Sequence, residues 1–439
     1  MSRAAPGPAP GVPRPATSRE SPSPAEPETQ ARALRIFLRL IRPRPLADPY
    51  PLYAQLRDQA PFLPIRFPGM PVAYLVTTFA SCSRLLREPA FGPPTYAQLD
   101  ALNPGWRDNA FISCVYRSMV MLSGPAHRAR RQVASRPFTP RQSEAFRGQL
   151  AEITELLLDR LAGHGPGPVD LVEELAMPFA SLSLGRLLAI ADDEALRLGQ
   201  LTRQLGVVFE QFASASQRRN LVVYGEELVQ GLAAVLAGRH GSEDNLLARL
   251  AASQAEAGSE EQLGMAVLLF GAGFDSPASM VGLGTRLLLE HPEQALLLAA
   301  DDGLAPNAVA EILRYEPPVQ LVVRTALEPA ELAGTQIEPG SMILGLVAAA
   351  NRDPVQVKEP EVFDVTRERV PSLSFGAGPH YCLGAYLTGM QGEALFPRLL
   401  RRFPRLRLAG RPAYRSPGST LRGLESLPVY LELGRTGFP

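Results

Sequence analysis

The sequence predicts a mainly α protein with a small β region, and three observations carry that expectation. Leu-, Ala- and Arg-rich stretches recur at helical spacing, strand-like runs are few and short, and no linker inside 45–439 separates two parts of the chain. The helical stretches are 145–163, 187–212, 222–238, 244–255, 261–290 and 385–402. Strand-like pieces fall at 72–76, 321–325 and 342–348. A chain of 439 residues can bury a generous core, and residues 31–439 are expected to form a single domain. Residues 1–30 are rich in Pro, Ala, Ser and Glu. They carry too few large apolar groups to offset their ordering entropy, so a disordered tail is expected. The stretch 33–42 mixes Leu, Ile and Phe with Arg at helical spacing and reads as a docked surface helix, with a membrane-surface helix as the alternative.

Acidic and basic residues balance at 44 each, so no net field draws the chain to nucleic acid or to an anionic membrane. Cys82, Cys114 and Cys382 are too sparse for a disulfide framework and fit a reducing compartment. The longest apolar run, 265–274, falls far short of the roughly 20 residues a bilayer span needs. No charged start followed by an apolar core marks a secretory signal. A cytoplasmic protein with no membrane span is expected.

One segment concentrates the chemistry: Phe375-Gly376-Ala377-Gly378-Pro379-His380-Tyr381-Cys382-Leu383-Gly384. Three glycines within nine residues imply unusual backbone dihedrals or a close approach to something flat. A helix-forming stretch follows at once, so a thiolate at Cys382 gains from the dipole and from free N–H donors. A lone cysteine is more often a buried packing residue, but the whole ten-residue pattern resembles the signature of the cytochrome P-450 family, Phe-Gly-x-Gly-x-His-x-Cys-x-Gly. That resemblance implies the triangular, mainly α haem-thiolate fold, with haem b between a groove helix and the cysteine-loop helix. It implies Cys382 as axial ligand of the iron, Phe375 shielding the sulfur, His380 near a propionate, and Gly384 within the cofactor-binding loop.

Further motifs agree in order. Glu311 and Arg314 share one helix face and, with Arg367, resemble the family's buried Glu-Arg-Arg triad, whose implied role is to lock the cysteine loop. Taken alone, such a pair is usually a solvated salt bridge. Asn351-Arg352-Asp353-Pro354 and Pro137-Phe138-Thr139-Pro140-Arg141 also fit. His127 and Arg131, at i and i+4, and Arg324 resemble the family's propionate partners. His164, His240 and His291 match nothing and read as structural or surface residues.

Between 270 and 277 a helical stretch is interrupted by two glycines, Asp275, Ser276 and Pro277. Glycine costs about 1 kcal/mol and proline about 3 kcal/mol in a helix interior. The carbonyl of Gly273 loses its usual partner at Pro277, so a kink, a widened groove or a helix end is expected. The segment resembles the family's oxygen-binding groove, which places Gly273 beside the cofactor. A hydroxyl there can donate a hydrogen bond and an acid can relay protons from water, roles implied for Ser276 and Asp275. Ser276 stands where threonine is usual, and Pro277 is uncommon, which implies leakier proton delivery or an unusual substrate. Gly389 and Gln391 depart from the Arg and Glu common after the cysteine, so redox-partner contacts are not carried over there.

The resemblance covers roughly residues 45–435. It implies a monooxygenase that inserts one atom of O2 into a hydrophobic small molecule, in secondary metabolism by analogy. Electrons are expected from NAD(P)H through a ferredoxin-type partner, and the enzyme is expected to be a monomer. The substrate pocket is expected to draw on 91–120, 200–222, the groove helix, 317–323 and 420–425, with Phe111, Phe209 and Leu269 as candidate lining residues. Two alternatives stay open: a haem-thiolate enzyme of coupling, cyclisation or peroxygenation, and a non-catalytic haem-binding helper.

Overall fold

A computed structural model describes residues 27–42, 46–67, 72–135, 138–206, 215–237, 259–415 and 420–432. Phe209, His240, Pro137, the expected helix 244–255 and most of the expected tail lie outside the described residues. The described chain opens with a helix, Pro27–Leu40. Pro27 to Gln30 therefore belong to a helix rather than to the tail. Proline at the first helical position and Glu28 in the first turn are start signals that the local Pro/Ala bias obscures. Ala33, Ile36 and Phe37, spaced i, i+3 and i+4, are buried against the neighbouring sheet, so this is a docked helix.

That sheet has five strands in the order Phe62–Arg66, Val72–Val76, Met342–Gly345, Val322–Ala326 and Phe91–Gly92. Its central pair, Val72–Val76 with Met342–Gly345, is parallel, and the rest are antiparallel. Alternate side chains feed two apolar clusters: Leu75 and Leu344 go to one face, Val76 and Ile343 to the other. The expected strand 342–348 ends at Gly345, and Val347–Ala350 turn into a short, fully buried helix. An unbroken apolar run fits a buried helix as well as a strand, so periodicity could not separate them. Likewise 187–212 is not one helix. Met177–Leu187 ends and Asp192–Arg203 begins across a turn with Ala189 at φ +53, and three acids mark the new start.

The largest apolar cluster surrounds the helix Ser259–Glu290, hereafter the groove helix. It packs against Ala110–Arg117, Met177–Leu187, Ala215–Ala237 and Ala305–Tyr315, and touches Ala385–Arg402. Glu260–Glu290 is long and apolar enough to cross a membrane by length and composition, but 78% of its apolar window is buried inside the protein, as in a core helix. The expected interruption at Pro277 does not end it. Packing on several sides outweighs the local cost of about 3 kcal/mol for one proline.

Candidate active site

The cysteine loop is built by backbone conformation. Gly376 and Gly378 lie at φ +71 and +69, a region open to glycine and costly for other residues. At Gly378 a Cβ would sit 2.5 Å from the Leu86 carbonyl oxygen, so the loop is pressed onto the preceding helix Phe79–Arg87. The Cys382 N–H donates to Phe375 O at 2.9 Å, which closes the loop, and the helix Ala385–Arg402 starts three residues on. Cys382 keeps exposed surface. Its sulfur is nonetheless ringed by protein atoms, so burial pushes the thiol up, while the Gly384 N–H and then the Arg131 guanidinium pull it down.

Four cationic or imidazole groups gather beside it. His127 and Arg131 come from the helix Gly124–Ser135, Arg324 from the strand Val322–Ala326, and His380 from the loop. The rings of His127 and His380 are 4.1 Å apart. Arg131 donates to the Tyr381 carbonyl, and Arg324 to the Val323 carbonyl at 2.9 Å. Burial pushes Arg324 down to about 10. His380 is pushed down to about 3, first by burial and then by Arg324, His127 and Arg131. His127 is lowered in the same way, by burial and then by its arginine neighbours. Crowding like charges out of water is unfavourable unless anions compensate, so the donor set suits carboxylates.

Behind the loop, Glu311 accepts from Arg314 at 2.7 and 2.8 Å and from Arg367 at 3.1 Å. Arg314 also donates to the carbonyls of Asn351, Pro360 and Val362, and Arg367 to those of Lys358, Glu359 and Val362. Asn351 continues the chain, donating to Ser374 Oγ at 2.8 Å and accepting from Leu373 N–H at 2.7 Å. The cluster thus grips the meander 351–367 and reaches the residue before Phe375.

On the groove helix, residues 265–270 are buried, whereas Ala272 is exposed and Gly271, Gly273 and Ser276 are half-buried. A Cβ added at Gly271 would meet nothing within 4 Å, whereas one at Gly273 would lie 3.0 Å from Leu184 Cδ1, so Gly273 lets the groove helix close against Met177–Leu187. Asp275, one residue before Ser276, is 5% exposed and points elsewhere, into an ion pair with Arg415. The family resemblance implies a relay role for Asp275, and the structure adds its partner. Arg415 was missed because nothing local links it to Asp275, which lies 140 positions away. Phe111 is also corrected: it is 3% exposed and packs against Gly225, whose added Cβ would lie 2.6 Å from Phe111 Cβ, so it belongs to the core. Leu269 is buried at i−4 from Gly273 and i−7 from Ser276, on their side of the helix.

The family model "Cytochrome P450" matches residues 304–410. The 6-deoxyerythronolide B hydroxylase of Saccharopolyspora erythraea is 33% identical over 88% of this chain and 96% of its own. The chain belongs to the cytochrome P450 family. The monooxygenase PikC of Streptomyces venezuelae is 31% identical over 89% of this chain and 92% of its own. The solved structure of P450BioI in complex with hexadec-9Z-enoic acid ligated acyl carrier protein superposes with TM-score 0.80, at 29% identity, covering 88% of this chain and 99% of that one.

This P450 has the mainly α fold with a small β region that its family implies, and it is an oxidoreductase of the monooxygenase type that uses haem b, O2, a small-molecule substrate and a redox partner. The residues present fit the cofactor: a thiol at a helix start offers one soft ligand, and four nitrogen groups beside it match two carboxylates. Two further features were not legible from motifs. Gln391, 2% exposed, lies in the core and so offers no surface to a redox partner. A second buried ion cluster joins Glu316 to Arg286, at 2.8 Å, and to Arg422. Arg422 also donates to the carbonyls of Leu46 and Ala47, tying the C-terminal region to the start of the fold.

Proposed function

We propose that this P450 hydroxylates or epoxidises a hydrophobic natural product, with Cys382 as the axial ligand of haem b. The observation that carries this reading is the Cys382 thiol at a helix start beside His127, Arg131, Arg324 and His380. Bound haem b supplies an iron at which O2 is reduced and activated. Around it, the Gly384 N–H and Arg131 stabilise the thiolate, and Phe375, whose ring centroid is 6.4 Å from that of Tyr381, covers the loop. The two histidines and Arg324 hold the propionates. Gly273, with no side chain, keeps the groove surface close, Ser276 donates a hydrogen bond there, and Asp275 carries protons towards it. Glu311, Arg314 and Arg367 hold the loop in register.

Support for the substrate class comes from the relatives: one is named a hydroxylase of 6-deoxyerythronolide B and another is bound to a fatty-acylated carrier protein. Electrons come from NAD(P)H through a ferredoxin-type protein, and the enzyme works as a cytoplasmic monomer; the balanced net charge and the burial of the apolar helix Glu260–Glu290 are consistent with this. The test is the dithionite-reduced carbon monoxide difference spectrum. A strongly red-shifted Soret band in the wild type, absent in Cys382→Ala, is expected. A spectrum typical of histidine ligation, or no haem, overturns the assignment. Spin-state titrations with macrolactones and fatty-acyl compounds then test the substrate class.

A further inference from the structure

The chain carries no net charge, so electrostatic attraction to another body has to be local. One stretch is locally one-sided. The helix Pro27–Leu40 buries Ala33, Ile36 and Phe37 against the sheet and turns its other side to water. Arg32, Arg35 and Arg39, spaced i, i+3 and i+7, are exposed on that outer side, and Arg42 continues the row just past the helix end. At 1.5 Å per residue the row is about 15 Å long. Glu28 is the only acid on the helix.

Exposed arginines on other helices hold carboxylates: Arg117 pairs with Glu260 at 3.0 Å, Arg401 with Asp302 at 2.5 Å and Arg402 with Asp159 at 2.6 Å. Arg32, Arg35, Arg39 and Arg42 form no ion pair with a carboxylate among the described residues, and Glu28, one turn before Arg32, does not close on it. Beside the row stands Leu38, 46% exposed. Half-buried Leu34 and Ile41, at i−4 and i+3 from Leu38, come next around the helix. The outer side thus grades from arginine to leucine.

A row of cations with an apolar edge suits a surface whose charged and apolar layers lie next to each other. A guanidinium fork spreads over phosphate oxygens while its stem follows the apolar layer, and a leucine enters that layer. A nucleic-acid backbone would meet the arginines but offer nothing to Leu38. We propose that the outer side of this helix docks the enzyme on an anionic phospholipid surface, with Arg32, Arg35, Arg39 and Arg42 on headgroup phosphates and Leu38 in the acyl boundary. The attachment is peripheral and salt-dependent, because exposed cations are screened. It needs no spanning helix, and Glu260–Glu290 stays in the core. The docking stands independently of the monooxygenase reading; together the two place the enzyme where an apolar substrate dissolves.

The test is co-sedimentation of the full-length, haem-loaded enzyme with vesicles of equal parts phosphatidylglycerol and phosphatidylcholine, against vesicles of phosphatidylcholine alone. Binding to the anionic vesicles is expected at about 0.1 M salt and release at about 1 M, where the screening length falls from about 10 Å to about 3 Å. Each of Arg35→Gln and Arg39→Gln is expected to weaken the partition about fivefold, and the double variant about 25-fold. Leu38→Asn is expected to weaken it about fivefold and to leave its salt dependence unchanged. All of these side chains are exposed, and thermal melts matching wild type show that the variants fold. No binding at low salt, equal binding to the neutral vesicles, or a double variant that binds like wild type overturns the proposal. Retention on immobilised poly-glutamate that the double variant loses, without vesicle binding, overturns it in favour of an acidic protein. The carbon monoxide spectrum is indifferent to these outcomes, so failure here leaves the monooxygenase reading standing.

Discussion

Two buried Glu-Arg-Arg clusters radiate from one helix end, Ala305–Tyr315 and the residue after it, and they differ in how they are assembled. Glu311 binds Arg314 one turn away and Arg367 from the meander, and both arginines spend their remaining donors on backbone carbonyls. Glu316 instead collects Arg286 from the groove helix and Arg422 from the C-terminal region. The first cluster is a local clamp whose product is the shape of the cysteine loop. The second joins three distant parts of the chain and bears on whether the whole fold closes. Similar chemistry thus serves a site in one place and the global structure in the other.

This contrast predicts a hierarchy of effects. The largest belongs to Glu316→Gln, which leaves Arg286 and Arg422 buried without their shared carboxylate. A loss of about 3–5 kcal/mol is expected by denaturant melts, with a normal carbon monoxide spectrum in whatever protein remains folded. Glu311→Gln should cost less, about 2 kcal/mol, because Arg314 and Arg367 keep six bonds to backbone carbonyls, whereas Arg422 keeps two and Arg286 keeps its pair with Glu290. Its signature is selective: less haem bound per folded protein and a spectrum shifted away from thiolate ligation. If the two variants lose stability and haem in equal proportion, the division of labour is wrong.

Arg352 sharpens the comparison because it touches the residue between the clusters. Its guanidinium lies 3.3 Å from the Tyr50 ring centroid and 3.6 Å from that of Tyr315, and donates to the Tyr315 carbonyl. Arg352→Lys keeps the charge and loses the planar stack, so about 1 kcal/mol should go in thermal melts with haem content intact. A haem loss like that of Glu311→Gln would assign Arg352 to the first cluster.

The smallest effect is a pH dependence in the haem-free protein. His380 is pushed to about 3 and His127 is also lowered, both mainly by burial. A folded pKa below the unfolded one favours the neutral form. Stability is therefore full above the ordinary imidazole range and declines as pH falls through about 6.5. The stability advantage of wild type over His380→Asn should shrink between pH 7.5 and 5.5 in urea melts; an advantage that grows with acid rejects the assignment.

Legibility followed the same division. The cysteine loop, the i, i+3 pair of Glu311 and Arg314, and the helix 385–402 are local patterns, and local patterns survive in a one-dimensional string. Arg415, Arg286 and Glu316 left no such trace, since their partners are 30 to 140 positions away. Phe111 was misread for a related reason: an aromatic near a pocket region and an aromatic packed on a distant glycine look alike until Gly225 is brought to it. The helix runs through Pro277, as the helical stretch 261–290 implies, and packing that the sequence does not display carries its local penalty.

By itself, then, the sequence determined the helical class, the thiol at a helix start and the residues able to meet an anionic cofactor, because each depends on neighbours within a few turns. The tertiary structure alone decided which way Asp275 points, which arginine holds it, that Gln391 is buried, and how the second ion cluster ties Leu46 and Ala47 to the groove helix. Those outcomes depend on which groups share a desolvated space, where charge pairs gain strength and unpaired charge becomes costly.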